Sequence, residues 1–358
     1  MGGYHTGAVQ QMNRRVYLDY LRVIATVSVI GVHTVSLASS LQERGSLSFY
    51  VLEIFDFTFL SSNLLFILIS GALLLPVRGE RITVFFQKRI RKVVVPLVVY
   101  YILYVVAKEG TMWLHPRYWR VLFLRILSGP PEEAPHFWII YTLLGLYVLT
   151  PLLRWVTAHI PREVFAGLIA VVFFVNALQT YAPVFGFSAH LSVIVDSFAG
   201  VFLLGYFLSE KCDRRTENLF IAGGALSFLF SCILIICTDS YQNYIYQNAP
   251  TMMLYSSAIF LLVKRVAGQC VSEHFLIQLI CKYSFSVLLI HWGVLHYIVK
   301  QLLHIDVLSG GIVGGCLLTA ALTFVLSLLG AILIDHTLVW AVNKIIDCVK
   351  RCVRYFLK

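Results

Sequence analysis

Long apolar runs dictate what this chain can fold into. Ten of them, at roughly 17–37, 55–76, 93–108, 137–157, 164–182, 192–209, 218–238, 251–267, 283–303 and 311–334, approach or reach the length of a bilayer-crossing helix, about 17–25 residues. Hydrocarbon offers no hydrogen bonds, so a spanning segment satisfies its backbone internally as a helix or within a closed barrel. The alternating segments of about ten residues that build a barrel are absent. Composition agrees, with 59% hydrophobic and 13% charged residues among 358 and a mean hydropathy of +0.82. The expected fold is all-α: a polytopic membrane bundle of about ten helices over residues 1–340, followed by a short basic helix over 341–358.

The formal net charge of +10 does not point to nucleic acid. Most Lys and Arg residues lie in the tails and loops of one side, grouped at Arg78 to Lys92, Lys211 to Arg215 and Lys344 to Lys358. That asymmetry follows the positive-inside rule and predicts cytoplasmic termini. No cleavage site follows the first apolar run, which reads as an uncleaved span. In 341–358, Lys344, Asp347, Arg351, Arg354 and Lys358 oppose Ile345, Ile346, Val349, Val353 and Phe356, a pattern suited to an anionic leaflet surface. The eight cysteines form no CxxC, and Cys348 and Cys352 share a face without further ligands, so no metal site is expected. The longest outer connection, about 109–136, carries Trp113, His115 and Trp119, which mark either the interface or a lid.

The first span carries three ionisable residues. Arg22 and His33 are eleven residues apart, so they share one helix face ~16 Å apart along the axis. Asp19 lies three residues before Arg22 and can pair with it, and Thr26 falls on the same stripe. Ionisable groups are costly in hydrocarbon, which turns this stripe towards the protein interior or a water-filled cavity. The alternatives are snorkelling for Arg22 and an interfacial position for His33.

With these residues in place, the chain resembles the acyltransferase 3 membrane family, which includes bacterial O-acetyltransferases of surface polysaccharides. The family has a basic residue, ten intervening residues and a His in its first helix, as at Arg22 and His33. Its third helix starts with R-x-x-R shortly before a Pro; here Arg89-Ile-Arg-Lys92-Val-Val-Val-Pro96 has Lys92 for the second Arg, and Lys lacks the planar fork of Arg. "FILISG" ending at Gly71, "HFWIIYTLLGLYVLTP" ending at Pro151 and "YSFSVLLIH" ending at His291 are similar too.

The resemblance implies acyl transfer from cytoplasmic acetyl-CoA, a donor substrate rather than a bound cofactor, to an extracytoplasmic hydroxyl, such as one on a glycan or lipid-linked precursor. It places the protein in a plasma membrane, multi-pass and of bacterial type. His33 is the expected general base, since an imidazole near pKa 6.5 is largely neutral at physiological pH; an acetyl-His intermediate is the alternative. Arg22 contacts the donor or orders the channel, with Asp19 supporting it. Lys88, Arg89, Arg91 and Lys92 are candidates for the CoA phosphates, against simple membrane anchoring. His291 and Ser284 are candidates for lining the donor channel, against an interhelical hydrogen bond. His296, His304, Asp335 and His336 stand out as no more than structural or interfacial. With no outer soluble domain after the last span, direct transfer to the acceptor or to a separate partner is expected.

Two rival functions fit some of these features. A transporter would also have many spans and buried charge, as in membrane segments joined to amino-acid racemases, but paired broken helices in corresponding halves are not evident. A different membrane acyltransferase class, with its His late in the chain, would use His291 and leave the Arg22 and His33 spacing unexplained. Acceptor, acyl length and oligomeric state are open.

Overall fold

Lipid tails are as apolar as leucine, so membrane helices associate through close packing at small residues and through polar contacts. The computed structural model describes residues 15–76, 79–110, 115–187, 198–246, 249–268 and 274–356, and every regular element among them is helical. In chain order the longer helices are α1 (Val16–Ser39), α2 (Leu47–Leu74), α3 (Ile82–Glu109), α4 (Pro116–Ser128), α5 (Pro135–His159) and α6 (Arg162–Phe185). They continue as α7 (Phe198–Tyr206), α8 (Arg214–Cys237), α9 (Pro250–Ala267), α10 (Phe275–Leu302) and α11 (Ile312–Val353, its last turn reaching Phe356). Two helix starts have side-chain caps: Ser46 Oγ accepts from Phe49 N at 3.2 Å, and Asp213 Oδ1 from Thr216 N at 2.9 Å.

Eight of these helices, all but α4, α7 and α9, are long and apolar enough to cross a membrane. The protein is thus a multi-pass helical bundle. Expected spans 192–209 and 251–267 correspond to α7 and α9. Residues 192–197 of the first lie outside the described residues, and the second ends on Lys264 and Arg265. The connection at 109–136 holds a helix that the sequence reading did not anticipate, α4; Trp113 lies outside the described residues. Residues 341–356 continue the last helix without a break through a π turn, Asp335–Val339. At 42 residues, α11 would be ~63 Å long if straight, more than the ~40–45 Å of a whole bilayer. Lys358 lies outside the described residues.

α1 sits centrally and packs against α2, α9, α10 and α11. α2 crosses α7 at backbone contact distance, because a Cβ on Gly71 would lie 1.9 Å from Phe202 O and one on Gly205 2.1 Å from Leu68 O. Only glycine fits at this crossing. α8 and α11 turn large apolar side chains outward, among them Leu226, Ile233, Leu317 and Leu333, as a lipid-facing surface requires.

Candidate functional site

The polar stripe of α1 is satisfied by α10. Arg22 Nη1 lies 3.6 Å from Asp19 Oδ1 and donates to Cys281 Sγ at 3.1 Å, and the Cys281 thiol donates to Asp19 Oδ1 at 2.7 Å. This triangle opens on a cavity of about 840 Å³, whose wall includes Arg89, Arg91 and Lys92 of α3 and Ser284 of α10. Arg91 and Lys92 sit on a π turn, Ile90–Val94, a widened turn that precedes Pro96. Proline lacks the N–H that a regular ladder would need there. The Arg89 guanidinium rests over the rings of Phe85 and Tyr147, 5.0 and 5.6 Å from their centroids. Arg91 is ion-paired with Asp347 of α11.

Two expectations look different in space. Lys88 does not line the cavity; it pairs with Glu80 at 2.8 Å. On a regular helix Lys88 would share a face with Lys92, four residues on; the π turn at Ile90–Val94 lies between them and breaks that register. Asp335, read as structural from sequence, lines the cavity and accepts from Ser286 Oγ at 2.7 Å and from Tyr100 Oη at 3.4 Å.

A second cavity, of about 220 Å³, lies farther along the same helices and is lined by His33, Ser36, Asn63, His136 and Trp138 among others. His33 stacks on His291 with ring centroids 5.2 Å apart and meets Trp292 edge-on at 4.9 Å; His136 is 6.4 Å away. His291 is therefore packed against His33 and does not line the basic cavity. The late histidine and the first-helix histidine, rivals in the sequence, belong to one cluster.

The backbone of α10 is opened beside this cluster. Tyr104 Oη accepts from Gly293 N at 2.8 Å and lies 3.1 Å from Leu289 O, so the hydroxyl is inserted between the donor and acceptor of one helical turn. A π-helical stretch, Val294–Leu302, follows directly. The carbonyl released from the ladder faces His136 Nε2 at 3.2 Å, and Leu288 O faces His291 Nδ1 at 2.8 Å. Carbonyls only accept, so His136 carries its proton on Nε2 and His291 on Nδ1. His136 Nδ1 and His291 Nε2 are left buried with no hydrogen-bond partner. The second ring nitrogens of two imidazoles that pack on His33 are thus without a partner in the protein. Among the described residues no group of three or more His, Cys, Asp or Glu is arranged to hold a metal ion.

The family model described as an acyltransferase domain matches residues 15–336 of the chain. The chain belongs to this acyltransferase family. The match covers every residue lining the second cavity and all of those lining the larger one except Val339. With eight helices among the described residues able to cross a membrane, the protein is a membrane acyltransferase. No curated protein and no solved structure matches this acyltransferase.

Proposed function

We propose that this acyltransferase moves an acetyl group from cytoplasmic acetyl-CoA to a hydroxyl of an extracytoplasmic glycan or lipid-linked precursor, in a bacterial plasma membrane. The observation that carries the reading is the stacking of a basic cavity and a histidine cavity along one set of helices, with Arg22 in the first and His33 in the second. Arg89, Lys92 and Arg91 hold the CoA phosphates through charge-assisted hydrogen bonds. Arg22, fixed by Asp19 and Cys281, orders the entrance to the route. Ser284 lines the path of the pantetheine arm.

In the outer cavity the acceptor hydroxyl attacks the thioester carbonyl while His33 takes its proton. The carbon–sulfur bond then breaks, and the departing CoA thiolate receives that proton, which leaves an ester and free CoA. His136 Nδ1 and His291 Nε2 accept hydrogen bonds from the acceptor or from His33, and so orient the reacting groups. The test is transfer of radiolabelled acetyl from acetyl-CoA in membrane vesicles containing wild type or His33→Ala at matched folded abundance. Loss of transfer with retained acetyl-CoA binding supports the assignment. Equal transfer by the two proteins would remove His33 from the chemistry.

A further inference from the structure

The two cavities share a single lining residue. α1, α2, α5 and α10 each contribute to both, so the cavities lie end to end along one bundle axis, and Leu288 of α10 is the residue that appears in both walls. Leu288 is 1% exposed. Ser284, one turn before it, faces the basic cavity, and His291 and Trp292, about one turn after it, pack on His33. A thioester held by Arg89 and Lys92 therefore meets this side chain before it meets the histidines.

We propose that Leu288 is the gate between the donor cavity and the histidine cavity, closed when no donor arm is present and displaced by it. The inference rests on the acyltransferase reading for its purpose, and on the shared wall for its location. The setting suits a moving side chain. The Leu288 and Leu289 carbonyls are held from outside the ladder by His291 and His136, and Tyr104 already parts the next turn, so the backbone is braced while the side chain changes rotamer. An aliphatic gate also keeps water from running between the two cavities, where it would compete with the acceptor for the thioester.

The experiment compares Leu288→Ala, Leu288→Trp and the conservative Leu288→Met in the full chain, with two readouts. The first does not depend on activity. A thiol introduced by Asn63→Cys in the outer cavity is labelled with a small cationic methanethiosulfonate applied from the side of Arg89 and Lys92, and the labelled peptide is identified by mass. Labelling is expected to rise severalfold with Leu288→Ala, to match wild type with Leu288→Met and to fall with Leu288→Trp. The second readout is acetyl transfer beside equilibrium binding of radiolabelled acetyl-CoA. Leu288→Trp should lower transfer about 100-fold, the scale of a misplaced reacting group, with binding kept within about threefold.

Labelling indifferent to residue 288, or wild-type transfer by Leu288→Trp, would overturn the gate. Parallel loss of binding and transfer in Leu288→Trp, with no gain of labelling in Leu288→Ala, would overturn it too, as general damage. If the unsubstituted chain neither binds nor transfers acetyl-CoA while labelling still follows residue 288, the gate stands and the acyltransferase purpose falls.

Discussion

Removing one hydroxyl from α3 should be felt at a histidine on α5. Tyr104 is 5% exposed, and its Oη is the partner of Gly293 N–H at 2.8 Å. Tyr104→Phe leaves that N–H buried without an acceptor, a cost of ~1–3 kcal/mol. The ladder does not simply reclose, because the ring itself fills the opening: Tyr104 Cε1 and Cζ lie 3.1 and 3.2 Å from the position of a Cβ on Gly293. Leu289 O, which faces both Tyr104 Oη and His136 Nε2, loses one of its two external donors and with it the position that holds the imidazole. The assay is unfolding of the detergent-purified protein by SDS titration, paired with the acetyl-transfer rate at saturating acetyl-CoA. The expected result is a loss of ~1–3 kcal/mol and a lower kcat with KM for acetyl-CoA little changed, since the basic cavity is untouched. Stability within ~0.5 kcal/mol of wild type together with full kcat would refute the claim that the inserted hydroxyl positions the cluster.

Three further outcomes follow from particular contacts. Arg89→Ala should weaken acetyl-CoA binding by ~10–150-fold, the equivalent of a lost charge-assisted hydrogen bond of ~1.5–3 kcal/mol, whereas Lys88→Ala, whose partner is Glu80, should leave donor affinity unchanged in equilibrium dialysis. Gly71→Ala should abolish folded abundance in a fluorescence size-exclusion assay, because its Cβ meets the Phe202 carbonyl, while Gly145→Ala, with nothing within 4 Å, should be silent. Glu133, buried in the α4–α5 connection, is pushed towards a higher pKa by burial, but its ion pairs with Lys108 at 2.7 Å and Arg125 at 3.9 Å outweigh this and hold it below the usual carboxylate range. A lowered folded pKa contributes stability above the unfolded value of ~4.3 and loses it as pH falls through the folded one. Glu133→Gln should therefore melt earlier than wild type at neutral pH, and the two curves should converge in acid.

The first helix was the most legible part of the site, because Asp19, Arg22 and His33 are related by helical periodicity alone. The basic group on α3 was legible as a group, yet which members face the cavity depended on a π turn that periodicity does not announce: Arg91 and Lys92 line it and Lys88 does not. His136 carried a weak signal as the first residue of "HFW", but its place beside His33 and His291 is a meeting of α1, α5 and α10 that no local spacing encodes. Tyr104 carried none, being one tyrosine among 19. Asp335, a carboxylate at the end of an apolar run, carries the same desolvation cost that singles out Asp19. The helical class was written in hydropathy, whereas α4 and the continuity of α11 past residue 340 lay beyond it: amphipathic segments look alike from sequence whether they stand alone or extend a neighbour.

In the proposed function, donor and acceptor meet from opposite faces of one bundle. The most direct test uses sealed vesicles with Arg89 and Lys92 facing outward and an acceptor-bearing membrane, to which radiolabelled acetyl-CoA is added outside or loaded inside. Labelled ester is expected on the lumenal side when acetyl-CoA is outside, and none when it is loaded only in the lumen. Label on the same side as the donor, or transfer from both sides, would contradict it.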